Sequence, residues 1–122
     1  MASRPALPPS HSADEKDLRT REMMARHLGG AAMRAFVDSD VTEIYLNPDG
    51  RLRFDTRSRG AVISDDSIEA ERVQRFLNTV ASSLGWTLDE AHPHLQAELP
   101  LADFGGARLQ GFVPPLASAP CF

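Results

Sequence analysis

Arginine is the side chain through which this sequence has most scope for chemistry. Arg108 follows the turn residues Gly105-Gly106 and opens an apolar stretch that reads as a strand, so its guanidinium can be held firmly and aimed outward. A planar, permanently charged group of that kind suits a phosphate reached across an interface. The structural alternative is a cross-hairpin salt bridge to Asp103 or Glu98. Arg51, Arg53, Arg57 and Arg59 form a second basic cluster. It offers a phosphate or an anionic membrane surface a set of charges, or else it is a polar outer sheet face balanced by Asp55 and nearby acids. His92 and His94 with Asp89 and Glu90 bring imidazoles and carboxylates together, the ingredients of a zinc site or an acid–base pair. Pro93 separates the histidines and no third ligand has a telling spacing, so a solvated loop competes with that reading. Ser82 and Ser83 lie in helical sequence without a nucleophile-elbow signature. No Gly-x-x-x-x-Gly-Lys-Ser/Thr segment occurs, and neither Gly29-Gly30 nor Gly105-Gly106 is followed by the required lysine. Without a phosphate loop, autonomous ATP hydrolysis is not expected.

The whole chain narrows these options. Its 122 residues suit one domain with one modest core. Thirteen Lys and Arg against 17 Asp and Glu give a net charge of -4, so direct nucleic-acid binding is not expected. The lone cysteine, Cys121, excludes an intrachain disulfide, fits a reducing, cytoplasmic setting and reads as an inert strand thiol. No apolar run approaches the roughly 20 residues that span a bilayer, and Met1 to Ser12 has neither a signal core nor a cleavage pattern. The chain is therefore read as soluble and unprocessed.

The elements that must position the arginines follow from periodicity. Residues 1–12, with Pro5, Pro8, Pro9 and three serines, read as a disordered arm. From Ala13, helix formers carry an imperfect stripe of Leu18, Met24, Ala25, Leu28, Ala32 and Phe36, interrupted at Gly29-Gly30. One kinked helix or two helices are thus predicted, ending near Asp38 to Asp40. Val41 to Leu46 and Arg51 to Thr56 predict a β-hairpin around Asn47-Pro48-Asp49-Gly50. Ala61-Val62-Ile63 predicts a short third strand ending by Ser64. Val73, Phe76, Leu77, Val80, Ala81 and Leu84 predict an amphipathic helix over about Ser67 to Leu84, with Asp66 and Glu69 as a capping box and Gly85 as its stop. Leu95 to Leu99 and Ala107 to Val113 predict two more strands, and Pro114-Pro115 ends the second. The final apolar pair, Cys121-Phe122, reads as a strand that has been cut through.

Two segments carry a family resemblance. Asp40-Val41-Thr42-Glu43-Ile44-Tyr45-Leu46-Asn47-Pro48-Asp49-Gly50 resembles the strand and turn that open the amino-terminal domain of TrbB-type conjugal-transfer ATPases, part of the secretion ATPase superfamily. Glu98-Leu99-Pro100 and Gly106-Ala107-Arg108-Leu109-Gln110-Gly111-Phe112-Val113-Pro114-Pro115 are similar to the hairpin preceding that family's catalytic domain. The matches stand in the family's order, and the resemblance covers about residues 13–122. It implies a hexameric cytoplasmic ring with ATP and magnesium bound between amino-terminal and RecA-like tiers, working with secretion or conjugation machinery at the inner membrane, with peripheral membrane contact. It also implies that Arg108 reaches the γ-phosphate. The motor domain and a strand carrying another expected arginine lie outside this sequence. By itself the fragment is therefore expected to need no cofactor and to be inactive.

The resulting expectation is an α+β domain over residues 13–122: a helical start, then a largely antiparallel, PAS-like sheet covered by the long amphipathic helix. Its function under the resemblance is to form and dock an ATPase ring. A free-standing PAS-like sensory or ligand-binding module is the first rival, and predicts a closed apolar pocket. The second is an adaptor that binds membrane or nucleic acid through Arg51, Arg53, Arg57 and Arg59.

Overall fold

The computed structural model describes the backbone from Leu7 to Phe122 and side chains from Glu15 onward. Two helices come first, α1 (Leu7–Leu28) and α2 (Gly30–Phe36). The glycine pair separates them because Gly29 takes φ 85°, outside the helical region. Arg72 closes the end of α1 by donating from Nη2 to the carbonyl of Arg26 at 3.3 Å. The disordered arm predicted for residues 1–12 needs correction over part of its length. Residues 1–6 lie outside the described residues, but α1 begins at Leu7, before Ala13. Pro8 and Pro9 fall in its first turn, where the missing N–H has no intrahelical partner to lose. Met24, Leu28 and Ala32 are buried as the stripe predicts, whereas Leu18 is exposed.

β1 (Val41–Leu46), β2 (Arg51–Thr56) and β3 (Gly60–Ser67) form an antiparallel meander. The first turn closes through Gly50 N–H to Asn47 O at 2.9 Å, with Gly50 at φ 81°. Asp49 locks it, accepting from both Arg53 guanidinium nitrogens at 3.0 and 2.8 Å and from the Arg51 amide at 3.0 Å. The second turn closes on buried Thr56, whose hydroxyl donates to Gly60 O at 2.9 Å and accepts from the Arg59 amide at 3.0 Å. β3 runs to Ser67 and does not stop by Ser64, because Arg51 pairs opposite Ser67. Cross-strand pairing there overrides the weak strand propensity of Asp65 and Asp66.

Helix α3 (Ala70–Ser83) is shorter than the predicted Ser67 to Leu84, and it buries Val73, Phe76, Leu77, Val80 and Ala81. Its end has the Schellman pattern, with Trp86 N–H to Ala81 O at 2.9 Å and Gly85 N–H to Ser82 O at 3.0 Å. Leu84 is the C-cap, outside α3 proper, and is 45% exposed. The expected capping box is absent: Glu69 occupies the N-cap without a side-chain cap bond, and the Asp66 carboxylate accepts instead from the Ser64 hydroxyl at 3.0 Å.

β4 (His94–Glu98) and β5 (Arg108–Phe112) make a separate antiparallel pair. Their connection at Leu101–Phe104 is a tight reversal more than a helix, since Ala102 (ψ 130°) and Asp103 (φ 71°) leave helical geometry. The α+β class therefore stands, but the single PAS-like sheet of the sequence reading is divided into sheets of three and two strands. Cys121 and Phe122 bridge them. Phe122 exchanges both backbone bonds with Leu46 at 2.9 and 3.1 Å, and Cys121 exchanges both with Phe112 at 2.9 Å. One core underlies both sheets, with Phe76, Phe104, Met24, Leu46, Leu52, Leu77 and Leu95 among its fully buried side chains.

Two predictions arise from this packing. A Cβ at Gly111 would stand 2.6 Å from Leu77 Cδ2, so Gly111→Ala should cost about 1–3 kcal/mol of stability by overpacking; urea denaturation measures it. Arg53, and then the Arg51 amide, hold the Asp49 carboxyl far below the usual carboxylate range. A depressed folded value means that this stabilisation is present above the unfolded value of about 3.9 and is lost as pH falls below it. The denaturation midpoint should drop below about pH 4, and Asp49→Asn should flatten that drop.

Candidate functional site

Alternation along the β4–β5 hairpin sorts its side chains by face. Leu95, Leu109 and Gly111 are buried, whereas His94, Gln96, Glu98, Arg108 and Gln110 are exposed. Register places Glu98 opposite Arg108, Gln96 opposite Gln110 and His94 opposite Phe112. The last pair stacks, with ring centroids 4.8 Å apart at 13°. Arg108 thus stands at the start of a strand anchored from below by Leu109.

Arg108 makes no salt bridge among the described residues. The bridge to Asp103 or Glu98 that the sequence offered as an alternative is not formed. Asp103 belongs to Arg21, whose Nη1 lies 3.1 Å from its Oδ2, and Arg21 Nε also lies 3.4 Å from Asp17 Oδ2. Arg21 therefore ties α1 to the reversal preceding Arg108 and leaves the Arg108 guanidinium without a fixed counterion. Residue spacing held no signal for this anchor, because Arg21 and Asp103 lie 82 residues apart.

Arg108 borders an open cleft of about 500 Å³ between β1 and β5. Glu43, Tyr45, Asp55 and Gln110 share its rim, and Leu28, Phe36, Phe76 and Leu109 lie deeper. The closed apolar pocket expected of a sensory module is not what this cleft provides. Glu43 and Asp55 put negative charge in the same cleft, so one guanidinium here is poorly placed to hold a polyanion unaided.

The remaining candidates are occupied by local structure. Arg53 is spent on Asp49 at 2.8 Å, and Arg51 reaches Ser64 O at 3.3 Å and Asp65 at 4.0 Å. Part of the basic cluster is therefore neutralised within its own sheet. Asp89 accepts from the backbone amides of His92 and Ala91 at 2.9 Å, and lies 3.3 Å from His92 Nδ1. The His92 amide bond in particular holds the Asp89 carboxyl below its usual value and makes it a turn fastener. Among the described residues no three His, Cys, Asp or Glu side chains gather as metal ligands. Ser83 donates to Val80 O at 2.6 Å within its helix. Burial raises the Cys121 thiol above its ordinary value, the direction that disfavours thiolate. No described helix is long and apolar enough to cross a membrane.

No family model matches the chain. It is 35% identical over 95 residues to the conjugal transfer protein TrbB of Rhizobium radiobacter, a match covering 78% of this chain and 28% of that protein. A TrbB-named protein of Sinorhizobium fredii is 32% identical over 111 residues, covering 88% of this chain and 33% of that protein. Among solved structures, the VirB11 ATPase of the Brucella suis type IV secretion system matches 81% of this chain and 30% of its own length. The TM-score is 0.65 at 20% identity, so this likeness speaks to the fold alone. The chain thus spans about a third of the length of the curated relatives it matches. Over most of its own residues, it is a homologue of TrbB conjugal transfer proteins and has a fold found within a type IV secretion ATPase.

Proposed function

We propose that this chain is the amino-terminal domain of an ATPase that powers conjugal DNA transfer or type IV secretion. In this reading it forms one tier of a hexameric cytoplasmic ring, docks the motor on inner-membrane machinery, and presents Arg108 to ATP held by the motor domain. The observation that carries the proposal is the state of Arg108: an exposed guanidinium on an anchored strand that makes no salt bridge among the described residues, in a chain homologous to TrbB. An arginine so placed can meet negative charge arriving from another domain without first breaking an ion pair. The energetic role would be charge stabilisation in phosphoryl transfer, where ATP and magnesium bind mainly to groups outside this chain.

The chain contains no phosphate loop, so its division of labour with a motor domain is testable from both sides. The 122 residues alone should show no magnesium-dependent ATP turnover above background; robust turnover would sink the proposal. In the full-length ATPase, Arg108→Ala should lower kcat by about 10²-fold or more, with the ring intact by light scattering. Arg108→Lys should recover only part of that loss, because an ammonium lacks the planar fork. Unchanged turnover in the alanine variant would remove Arg108 from the nucleotide site.

A further inference from the structure

The break between α1 and α2 gathers positive charge that the fold leaves unmatched. Gly29 and Gly30 form the break, and guanidiniums from two different helices press against it. A Cβ at Gly29 would stand 2.9 Å from Nη2 of Arg72, on α3, and one at Gly30 would stand 3.0 Å from Nη1 of Arg34, on α2. The two groups thus flank one dipeptide, on the order of 10 Å apart. Arg72 is the positioned member, half-buried and held by its bond of 3.3 Å to the Arg26 carbonyl. Arg26 and Arg34 are exposed and have room to turn toward it. His27 registers the same crowding. Burial, and then the charges of Arg75, Arg26 and Arg72, push its imidazole below its ordinary value, so these cations act together on one ring. Arg75 has a counterion, its Nη2 lying 2.6 Å from Glu71 Oε1. Arg26, Arg34 and Arg72 make no salt bridge among the described residues, and neither does Glu22, one turn before Arg26. Acids outnumber bases by 17 to 13 in the whole chain, so this local surplus of cations is not a by-product of composition. Like charges gathered within a Debye length repel one another, and an anion bound among them would relieve that repulsion.

We infer that the α1–α2 break is a binding site for a phosphate group, held by Arg72 and Arg34 with Arg26 beside them. The ligand class follows from the donors. Guanidinium forks pair bidentately with phosphate oxygens, and the combined charge of Arg26, Arg34 and Arg72 suits a monoester or inorganic phosphate carrying about two negative charges. A single carboxylate would leave most of that charge unmatched. Free phosphate and the headgroup of a phosphomonoester lipid present the same oxygens to the site, and the two sources separate by experiment. The site lies in the helical layer, whereas Arg108 opens β5, so it stands or falls independently of the proposed role of Arg108 toward ATP.

The test titrates this chain with sodium phosphate, and with sodium chloride at matched ionic strength, while NMR follows the backbone amides of Gly29 and Gly30. Saturable shifts are expected in phosphate alone. Arg34→Gln and Arg72→Gln should each weaken binding about threefold or more, since each removes a charge-assisted contact. Arg51→Gln, on β2, should leave it unchanged. Co-sedimentation with phosphatidylcholine vesicles, with and without phosphatidate, identifies the source. Retention that requires phosphatidate and is lost in Arg34→Gln and Arg72→Gln assigns the site to a lipid headgroup; saturation by phosphate without retention on vesicles assigns it to a free phosphate. Shifts that never saturate, together with no phosphatidate-dependent retention, would overturn the inference. So would binding of either kind that both variants keep, or that Arg51→Gln weakens equally.

Discussion

The apolar face of α3 is the constraint on which the rest of the molecule depends. Val73, Phe76, Leu77 and Val80 are all at most 2% exposed, and no single neighbour covers them. α1 packs on one flank, the β4–β5 pair meets Leu77 through Gly111, and Phe122 closes edge-on over Phe76 at 5.7 Å. At about 25 cal/mol per Å² of apolar surface removed from water, this one helix face supplies cohesion that neither small sheet has by itself. A two-stranded hairpin such as β4–β5 is marginal in isolation. It is held because α3 and the Arg21–Asp103 pair support it from two sides.

That support explains why Arg108 stands unpaired. A hairpin on a flexible stalk would let a long guanidinium fold back onto the nearest acid. Here register places Glu98 across from Arg108, yet no ion pair forms, and Asp103 is turned toward α1 by its φ of 71° and its bond to Arg21. Arg53 and Arg51, in contrast, are absorbed by Asp49 and Asp65 within their own sheet. Location relative to neighbouring acids, more than arginine count, separates Arg108 from Arg51 and Arg53.

The same architecture sets an edge of each sheet, β1 and β5, along the open cleft. Buried or half-buried N–H and C=O groups ordinarily find partners, and at one end of the edges of β1 and β5 Phe122 and Cys121 supply them. Phe122 is half-buried and packs against the core from between the two sheets. Leu46 and Phe112, the backbone partners of Phe122 and Cys121, come from opposite halves of the chain.

Local chemistry was legible in the residues themselves. The period of α3, the Asn47-Pro48-Asp49-Gly50 turn, the glycine break before α2 and the lone exposed arginine after Gly105-Gly106 all act within a few positions along the chain, where propensity and spacing carry the signal. Ends and pairings were less so. α1 starts earlier because prolines are harmless in a first turn, β3 runs longer because Arg51 pairs with Ser67, and the capping box yields to the Ser64–Asp66 bond. The sequence alone determined which segments from Ala13 onward are helix or strand. Only tertiary structure decided that the sheet is split, that Arg21 takes Asp103, and that an open cleft lies between β1 and β5. Those outcomes depend on contacts between residues tens of positions apart, whose energies are set by packing geometry and leave no periodic trace in the chain.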